Sequence, residues 1–347
     1  MKRYLFYIEH NYCYGILRPI QDAIRRRGGE TAWLPVGPEI NDGFLRPDER
    51  HFKHVSEAID WNPYAVLVPG NEVPGFLPGL KVTMFHGLIS SKFRRRDGVQ
   101  YHFIVRGMFD LYCMHGPNTT GPFEELARKH GHFRVVETGW SKLDPLFDGS
   151  YTRNKGGRPV ILFASTFSPR LSAAPHILET LKTLANKGRW HWLLNMHPKM
   201  PPEIVEKYRA IQGDNLEFAE TDDVIPLLAQ ADAMLCDTSS ILSEFLVLHK
   251  PAVTFRTAHQ EDYLIDVQQP GEIEAALETA LSYPSGLMEN IRRFAGETHP
   301  YRDSKSSERT LDAIDALAQS GLQGLKRKPL NLHRHWKMRR LLGYRGF

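Results

Sequence analysis

Short apolar runs alternate with amphipathic stretches along the whole chain. In the first half, residues 4–8 read as a strand. Residues 16–27 read as a helix with Ile16, Ile20 and Ile24 on one face, Pro19 in the first turn and Gly28-Gly29 as its stop. Residues 51–60 form a second helix. Residues 65–68 and 82–85 are buried strands, ending at Pro69-Gly70 and at His86-Gly87. A short strand over 111–114 precedes the turn His115-Gly116-Pro117-Asn118. A helix then runs from Thr119 or Thr120 through Lys129, and residues 134–137 are a strand before Gly139.

The second half repeats the alternation. Strands over 160–164, 192–196, 216–219, 233–236 and 252–255 are separated by helices over 174–187, 202–211, 224–230 and 240–249. Strand and helix in alternation predict parallel sheets with right-handed crossovers. Residues 149–158 are polar and Gly-rich and have no apolar period, which marks a linker. The expected fold class is α/β: two doubly wound domains facing a cleft, residues 1–148 and 159–300. A closing helix over 301–325 and a basic tail over 326–347 follow. Ligands of such sheets bind beyond the C-terminal ends of the strands.

Composition narrows this picture. A chain of 347 residues with an ordinary apolar fraction of 41% suits two soluble domains. No apolar stretch approaches the roughly 20 residues that cross a bilayer. The opening apolar run is broken by Glu9 and His10, so it reads as a first strand and not as a signal peptide. Cys13, Cys113 and Cys236 are far apart and lack CxxC spacing, which argues against a disulfide framework or a zinc site and fits a reducing cytoplasm. Residues 326–347 hold eight Lys or Arg and no acid; taking these from the net +4 leaves −4 for the rest.

Polar residues with chemical capacity fall at the predicted strand exits. His86 follows 82–85; as a neutral imidazole it can take a proton from a hydroxyl nucleophile, or it is a hydrogen-bonded loop residue. His197, in Met196-His197-Pro198, can donate to a phosphate or simply be fixed before a Pro-led loop. Asp237-Thr238-Ser239-Ser240 joins a strand to a helix start, where backbone N–H groups and a positive dipole end favour an anion. Its three hydroxyls can cap the helix or donate to phosphate oxygens. Asp237 can cap the helix or hold a neighbouring hydroxyl or a ribose. Glu244 can reach ligand hydroxyls or rest near the dipole. Ser165-Thr166-Phe167-Ser168 follows the strand 160–164. Lys92, Arg94, Arg95 and Arg96 can attract an anionic acceptor or a membrane surface, or form a solvated loop. No GxxxxGK[ST], no clean GxGxxG after the first strand, no HExxH and no acidic metal cluster occurs, so no metal or cofactor is expected.

With these residues placed, the chain resembles the CDP-glycerol glycerophosphotransferase family, which includes teichoic-acid primases and polymerases. The matching residues are His86-Gly87, Gly139-Trp140-Ser141-Lys142-Leu143-Asp144, Met196-His197-Pro198, Asp237-Thr238-Ser239-Ser240 with Glu244 and Phe245, Lys250-Pro251, and Asp303-Ser304-Lys305-Ser306-Ser307-Glu308-Arg309. The resemblance implies a glycosyltransferase-B fold of two Rossmann-like domains and a C-terminal helix. It implies a CDP-linked donor held mainly by the second domain as substrate, and an acceptor at the membrane. His86 becomes the base, His197 a phosphate contact, Ser239 and Ser240 the pyrophosphate grip, and Ser306, Ser307 and Arg309 the remainder of the donor site. The chain departs from the family pattern at Leu88-Ile89, where Thr-Pro is common, and at Gly139-Trp140-Ser141-Lys142, where Gly-Tyr-Pro-Arg is common.

The expected activity is transfer of a phosphopolyol, of the glycerol-phosphate type, from a CDP donor to a hydroxyl of a cell-surface glycan or lipid-linked acceptor. Alternatives are a nucleotide-sugar glycosyltransferase on the same fold, a nucleotide-sugar 2-epimerase, and a non-catalytic nucleotide- or glycan-binding protein. In the tail, Trp336, Leu341, Leu342, Tyr344 and Phe347 are interleaved with cations, a composition that suits an anionic membrane surface, a disordered basic tail or a nucleic-acid contact, of which the membrane surface is the expectation taken. The expected partners are therefore the nucleotide-activated donor, the glycan or lipid-linked acceptor and that surface, with no nucleic acid. The expected location is cytoplasmic, peripheral to the inner face of the membrane.

Overall fold

Two parallel six-stranded sheets carry the chain. The computed structural model describes residues 1–88, 98, 100–151, 157–221, 223–257 and 260–346. By its internal contacts the chain divides into two units, Met1–Phe147 with Tyr301–Phe347, and Asp148–Pro300.

The first unit contains β1 (Arg3–Ile8), α1 (Tyr12–Arg26), β2 (Glu30–Pro35), α2 (Val55–Asp60), β3 (Ala65–Val68), β4 (Leu80–Thr83), β5 (Leu111–Met114), α3 (Pro117–His130) and β6 (Arg134–Glu137). Its strand order is β2-β1-β3-β4-β5-β6, all parallel. The strand order reverses at β1 and β3, so their exits mark the crevice where such a sheet takes ligands. Tyr4 to Ile8 are all buried, and that is why this strand reads as an unbroken apolar run: helices cover both faces of a parallel sheet.

The second unit contains β7 (Val160–Ser165), α4 (Ala174–Asn186), β8 (His191–Met196), α5 (Pro202–Arg209), β9 (Leu216–Phe218), α6 (Ile225–Gln230), β10 (Ala233–Cys236), α7 (Ile241–Leu246), β11 (Ala252–Phe255), β12 (Ile265–Val267), α8 (Ile273–Leu281) and α9 (Ser285–Thr298). Its order, β12-β11-β10-β7-β8-β9, is the doubly wound order 3-2-1-4-5-6 read from the other edge. The reversal lies between β7 and β10. Phe163, Trp192, Leu194, Leu235 and Val253 form the centre of its core.

After α9 the chain returns to the first unit as α10 (Ser306–Ser320) and α11 (Leu332–Leu341). The basic tail is built into this unit. Lys326 N–H donates to the Gly131 carbonyl at 2.8 Å, Lys328 pairs with Asp110 at 2.6 Å, and the Asn331 amide donates to the Arg106 carbonyl at 2.9 Å. Met338 of α11 is 3% exposed.

Several elements differ from the sequence reading. α1 starts at Tyr12, so Pro19 lies inside it and not in its first turn; a proline there removes one backbone N–H from the ladder and leaves a carbonyl one turn back without its partner. Residues 51–54 precede α2, because His51 bridges to Trp33 of β2. β4 runs over Leu80–Thr83, earlier than the apolar run suggested. The strands β2 and β12 and the helices α8, α9 and α11 add to the elements read from the sequence. No helix among the described residues is long and apolar enough to cross a membrane.

Candidate active site

β4 ends at Thr83 and the chain turns sharply. Phe85 adopts a left-handed φ of 53°, which costs a non-glycine residue about 1–2 kcal/mol. Aromatic packing holds it there: Phe85 is 5% exposed, with ring centres of His102 at 4.4 Å and Phe123 at 5.4 Å. His115 secures the same turn by donating from Nε2 to the Met84 carbonyl at 2.7 Å. The outcome is that His86 stands at the sheet's C-terminal rim.

His86 Nδ1 lies 3.4 Å from the Pro69 carbonyl at the exit of β3. A carbonyl only accepts, so this long hydrogen bond favours the proton on Nδ1 and the lone pair on Nε2. That is the tautomer a general base acting through Nε2 requires. The His86 ring lies 5.3 Å from Tyr12, which stacks on His10 at 5.2 Å. The side chains of Tyr12 after β1 and His86 after β4 and the Pro69 carbonyl after β3 thus meet at the crevice predicted for this sheet.

His102, behind Phe85, is a titrating support. Burial pushes its pKa from 6.5 down to about 3. The folded chain keeps it neutral where the unfolded chain binds a proton, so its contribution to stability is complete above pH 6.5 and is lost as pH falls towards 3. Between pH 7 and pH 5, His102→Phe should lose about 2 kcal/mol less unfolding free energy than the parent, measured in urea. Equal losses would show that His102 titrates normally when folded.

In the second unit the β10 exit reaches across to β7. Asp237 is fully buried, and its Oδ2 accepts from Ser165 Oγ at 2.6 Å and from Ala173 N–H at 2.9 Å, while Oδ1 accepts from Thr166 N–H at 3.0 Å. Burial raises its pKa, and these bonds oppose the rise. Of the roles open to it in the sequence, the structure shows the neighbouring hydroxyl: Asp237 orders the loop after β7.

Thr238 and Ser240 are exposed and Ser239 is half-buried. Ser240 makes no side-chain cap to α7, which leaves its hydroxyl at the surface. Glu244 points inward and is 6% exposed. His197, at the β8 exit, accepts from Lys199 N–H at Nδ1 over 3.0 Å. Its neutral form therefore carries the proton on Nε2, which makes it a hydrogen-bond donor, opposite to His86. Phe167 packs on His197 at 4.4 Å. Through Thr166 and Phe167, a continuous line of contacts joins Asp237 to His197. Hydroxyls and an imidazole N–H gathered at the strand exits can receive phosphate oxygens.

Residues 127–315 match the family described as CDP-Glycerol:Poly(glycerophosphate) glycerophosphotransferase, over half of the chain and all of the second unit. The chain belongs to this family. Teichoic acid ribitol-phosphate polymerases TarL and TarK of Staphylococcus aureus (strain NCTC 8325 / PS 47) are each 30% identical to it over 205 residues, which is 50% of this chain and 36% and 39% of theirs. The chain thus spans less than two fifths of the length of these relatives. The structure of the wall teichoic acid polymerase TagF superposes with a TM-score of 0.68 at 14% identity, over 93% of this chain and 90% of that one. Staphylococcus aureus MnaA with UDP gives 0.63 at 17% identity, over 95% and 99%. These likenesses are of fold, the glycosyltransferase-B type.

Two of the motifs that carry the family resemblance meet within the first unit. The N–H groups of Ser306 and Ser307, which open α10, donate to Asp144 at 3.0 and 2.8 Å, and the two serines are 1% and 2% exposed. Arg309 donates from Nε to the Thr138 carbonyl at 2.9 Å, pairs with Asp303 through both terminal nitrogens, and lies 3.8 Å over the Tyr301 ring. The motif over 139–144 therefore supplies a carboxylate cap to the helix opened by the motif over 303–309. Through these bonds Ser306, Ser307 and Arg309 fasten α10 within the first unit.

Lys92, Arg94, Arg95 and Arg96, and linker residues 152–156, lie outside the described residues. Sequence reasoning missed Tyr12, His10, His102 and the role of His115. The rule that pointed to His86 applies equally to His10 and His115, each just beyond an apolar run. Nothing local marks Tyr12 or His102, because their roles arise from contacts between distant segments.

Proposed function

We propose that the protein transfers a phosphopolyol from a CDP-linked donor to a hydroxyl of a cell-surface glycan or lipid-linked acceptor. The family match over the whole second unit carries this reading. His86 Nε2 takes the acceptor proton. The hydroxyl oxygen forms a bond to the donor's β-phosphorus, the bond from that phosphorus to the bridging oxygen breaks, and CMP leaves with the electron pair. Nε2–H of His197 and the hydroxyls of Thr238, Ser239 and Ser240 bind the phosphates, where fixed donors stabilise the charge that develops. Asp237 acts one step back, by holding the loop that carries Thr166 and Phe167.

The opposite tautomers of the two histidines support this division of labour: one is set to accept a proton, the other to donate a hydrogen bond. The donor's head group is either glycerol or ribitol, since the family is described by the first and the curated relatives by the second. Incubation of purified protein with CDP-glycerol, CDP-ribitol and UDP-sugars tests the donor. Turnover of a CDP-polyol is expected; turnover of a UDP-sugar alone would replace this reading with glycosyl transfer.

A peripheral site at the inner face of the cytoplasmic membrane fits the same reading. Leu330 is 77% exposed and Trp336 58%, with Arg340 5.7 Å from the Trp336 ring. Such a face suits an anionic lipid surface. Sedimentation with phosphatidylglycerol vesicles tests it, and protein left wholly in the supernatant would remove this part of the proposal.

A further inference from the structure

The helix α11 lies beyond the residues matched to the family, yet it is fitted closely to the segment leading to His86. A Cβ on Gly75 would run into the His335 imidazole. Tyr344 stacks on Phe76 at 4.5 Å, and Met338 lies beneath Tyr7, with sulfur and hydroxyl 3.9 Å apart. α11 therefore clamps the β3–β4 loop, whose first residue, Pro69, contacts His86.

Between this loop and α11 is a pocket of about 410 Å³, lined by Glu72, Asn331, Leu332, His333, Arg334 and Lys337. Glu72 is three residues from Pro69, so the two are at most about 11 Å apart along the chain. Glu72 pairs with Arg334 at 3.4 Å and with Arg106 at 3.8 Å. Of the charged groups that line the pocket, Arg334 and the exposed Lys337 outnumber Glu72; Glu9 lies close enough to act on Glu72 and Lys337, and Arg106 holds Glu72 from outside the lining.

The lining is also mixed in a particular way. Arg334 and Lys337 suit phosphate oxygens; the Glu72 carboxylate and the Asn331 amide suit hydroxyls; Leu332 offers an apolar wall. An inorganic anion would use only the cations. A chain in which phosphates alternate with polyols would use the whole set.

We propose that this pocket binds a polyol-phosphate segment of the acceptor, set back from the hydroxyl that reacts at His86. The proposal rests on the transfer reading and gives α11 a task in acceptor recognition. A polymer already extended by transfer carries the groups the pocket fits, whereas a neutral acceptor does not.

The test uses the full chain and a synthetic glycerol-phosphate trimer, with binding followed by calorimetry. Lys337 is exposed, so Lys337→Glu should leave the fold intact. It is expected to weaken trimer binding at least 10-fold and to leave CDP binding unchanged. Equal trimer affinity in parent and variant would overturn the proposal. So would a Lys337→Glu loss confined to phosphatidylglycerol vesicles, since the cations would then serve a lipid surface. Trimer binding weakened as expected, with no CDP-polyol turned over by the parent, would uphold the pocket and sink the transfer reading alone.

Discussion

His86→Ala is expected to cut transfer roughly 100- to 10,000-fold, the range for loss of a proton-transfer residue. CDP binding should persist, because the groups proposed to bind the phosphates belong to the second unit and His86 to the first. The surrounding turn should also persist. Phe85 is anchored by His102 and Phe123, and Met84 by His115, so the backbone does not depend on the His86 side chain. His86→Gln is a useful companion: it keeps a polar group near the Pro69 carbonyl but removes the basic nitrogen. Rates near the parent's in either variant, with folding and CDP affinity intact, would exclude His86 as the base.

Asp237→Ala should have the largest structural effect in the second unit. It strands the Thr166 and Ala173 N–H groups and takes from the Ser165 hydroxyl its carboxylate acceptor, leaving that hydroxyl to Ser172. Hydrogen bonds to a charged group contribute about 1.5–3 kcal/mol each, and they are not additive in a shared site. A loss of about 3 kcal/mol in unfolding free energy is therefore expected, together with loss of CDP binding as the loop carrying Thr166 and Phe167 disorders. Asp237→Asn keeps one accepting oxygen and should fall between the two. Denaturant unfolding and calorimetry with CDP check both effects. Stability lost with CDP affinity fully retained would show that the loop does not contribute to the donor site.

The apolar periodicity of the sequence carried most of the fold, because a parallel sheet covered on both faces writes its strands as continuous apolar runs. The segments 65–68, 111–114, 134–137, 233–236 and 252–255 appear in the structure with those bounds. β2 escaped because only Ala32, Trp33 and Leu34 are buried in a polar neighbourhood. β12 escaped because it is three residues long and Ile265 and Asp266 are only half-buried. The strand-exit rule placed His86, His197 and the turn at Asp237 at the rims of the sheets. It could not say which polar groups turn inward. The bond from Ser165 to Asp237 and that from the Ser306 N–H to Asp144 join segments far apart in the chain, so no local pattern announces them.

The tail teaches a related lesson. Its charge suggested a surface element, and much of it is exposed, but the residues that fix it are uncharged or neutralised. Met338, Tyr344 and Asn331 hold it to the first unit, and Lys328 is matched by Asp110. Composition reported the outward face of α11 and concealed the inward one.

Phosphorus NMR of a reaction containing purified protein, a CDP-polyol and a hydroxyl acceptor tests the central claim most directly. Attack at the β-phosphorus predicts CMP and a new phosphodiester in equal amounts, with both formed at least about 100-fold more slowly by His86→Ala. Release of CDP in place of CMP, or an unaltered donor in the presence of a proven acceptor, would contradict it.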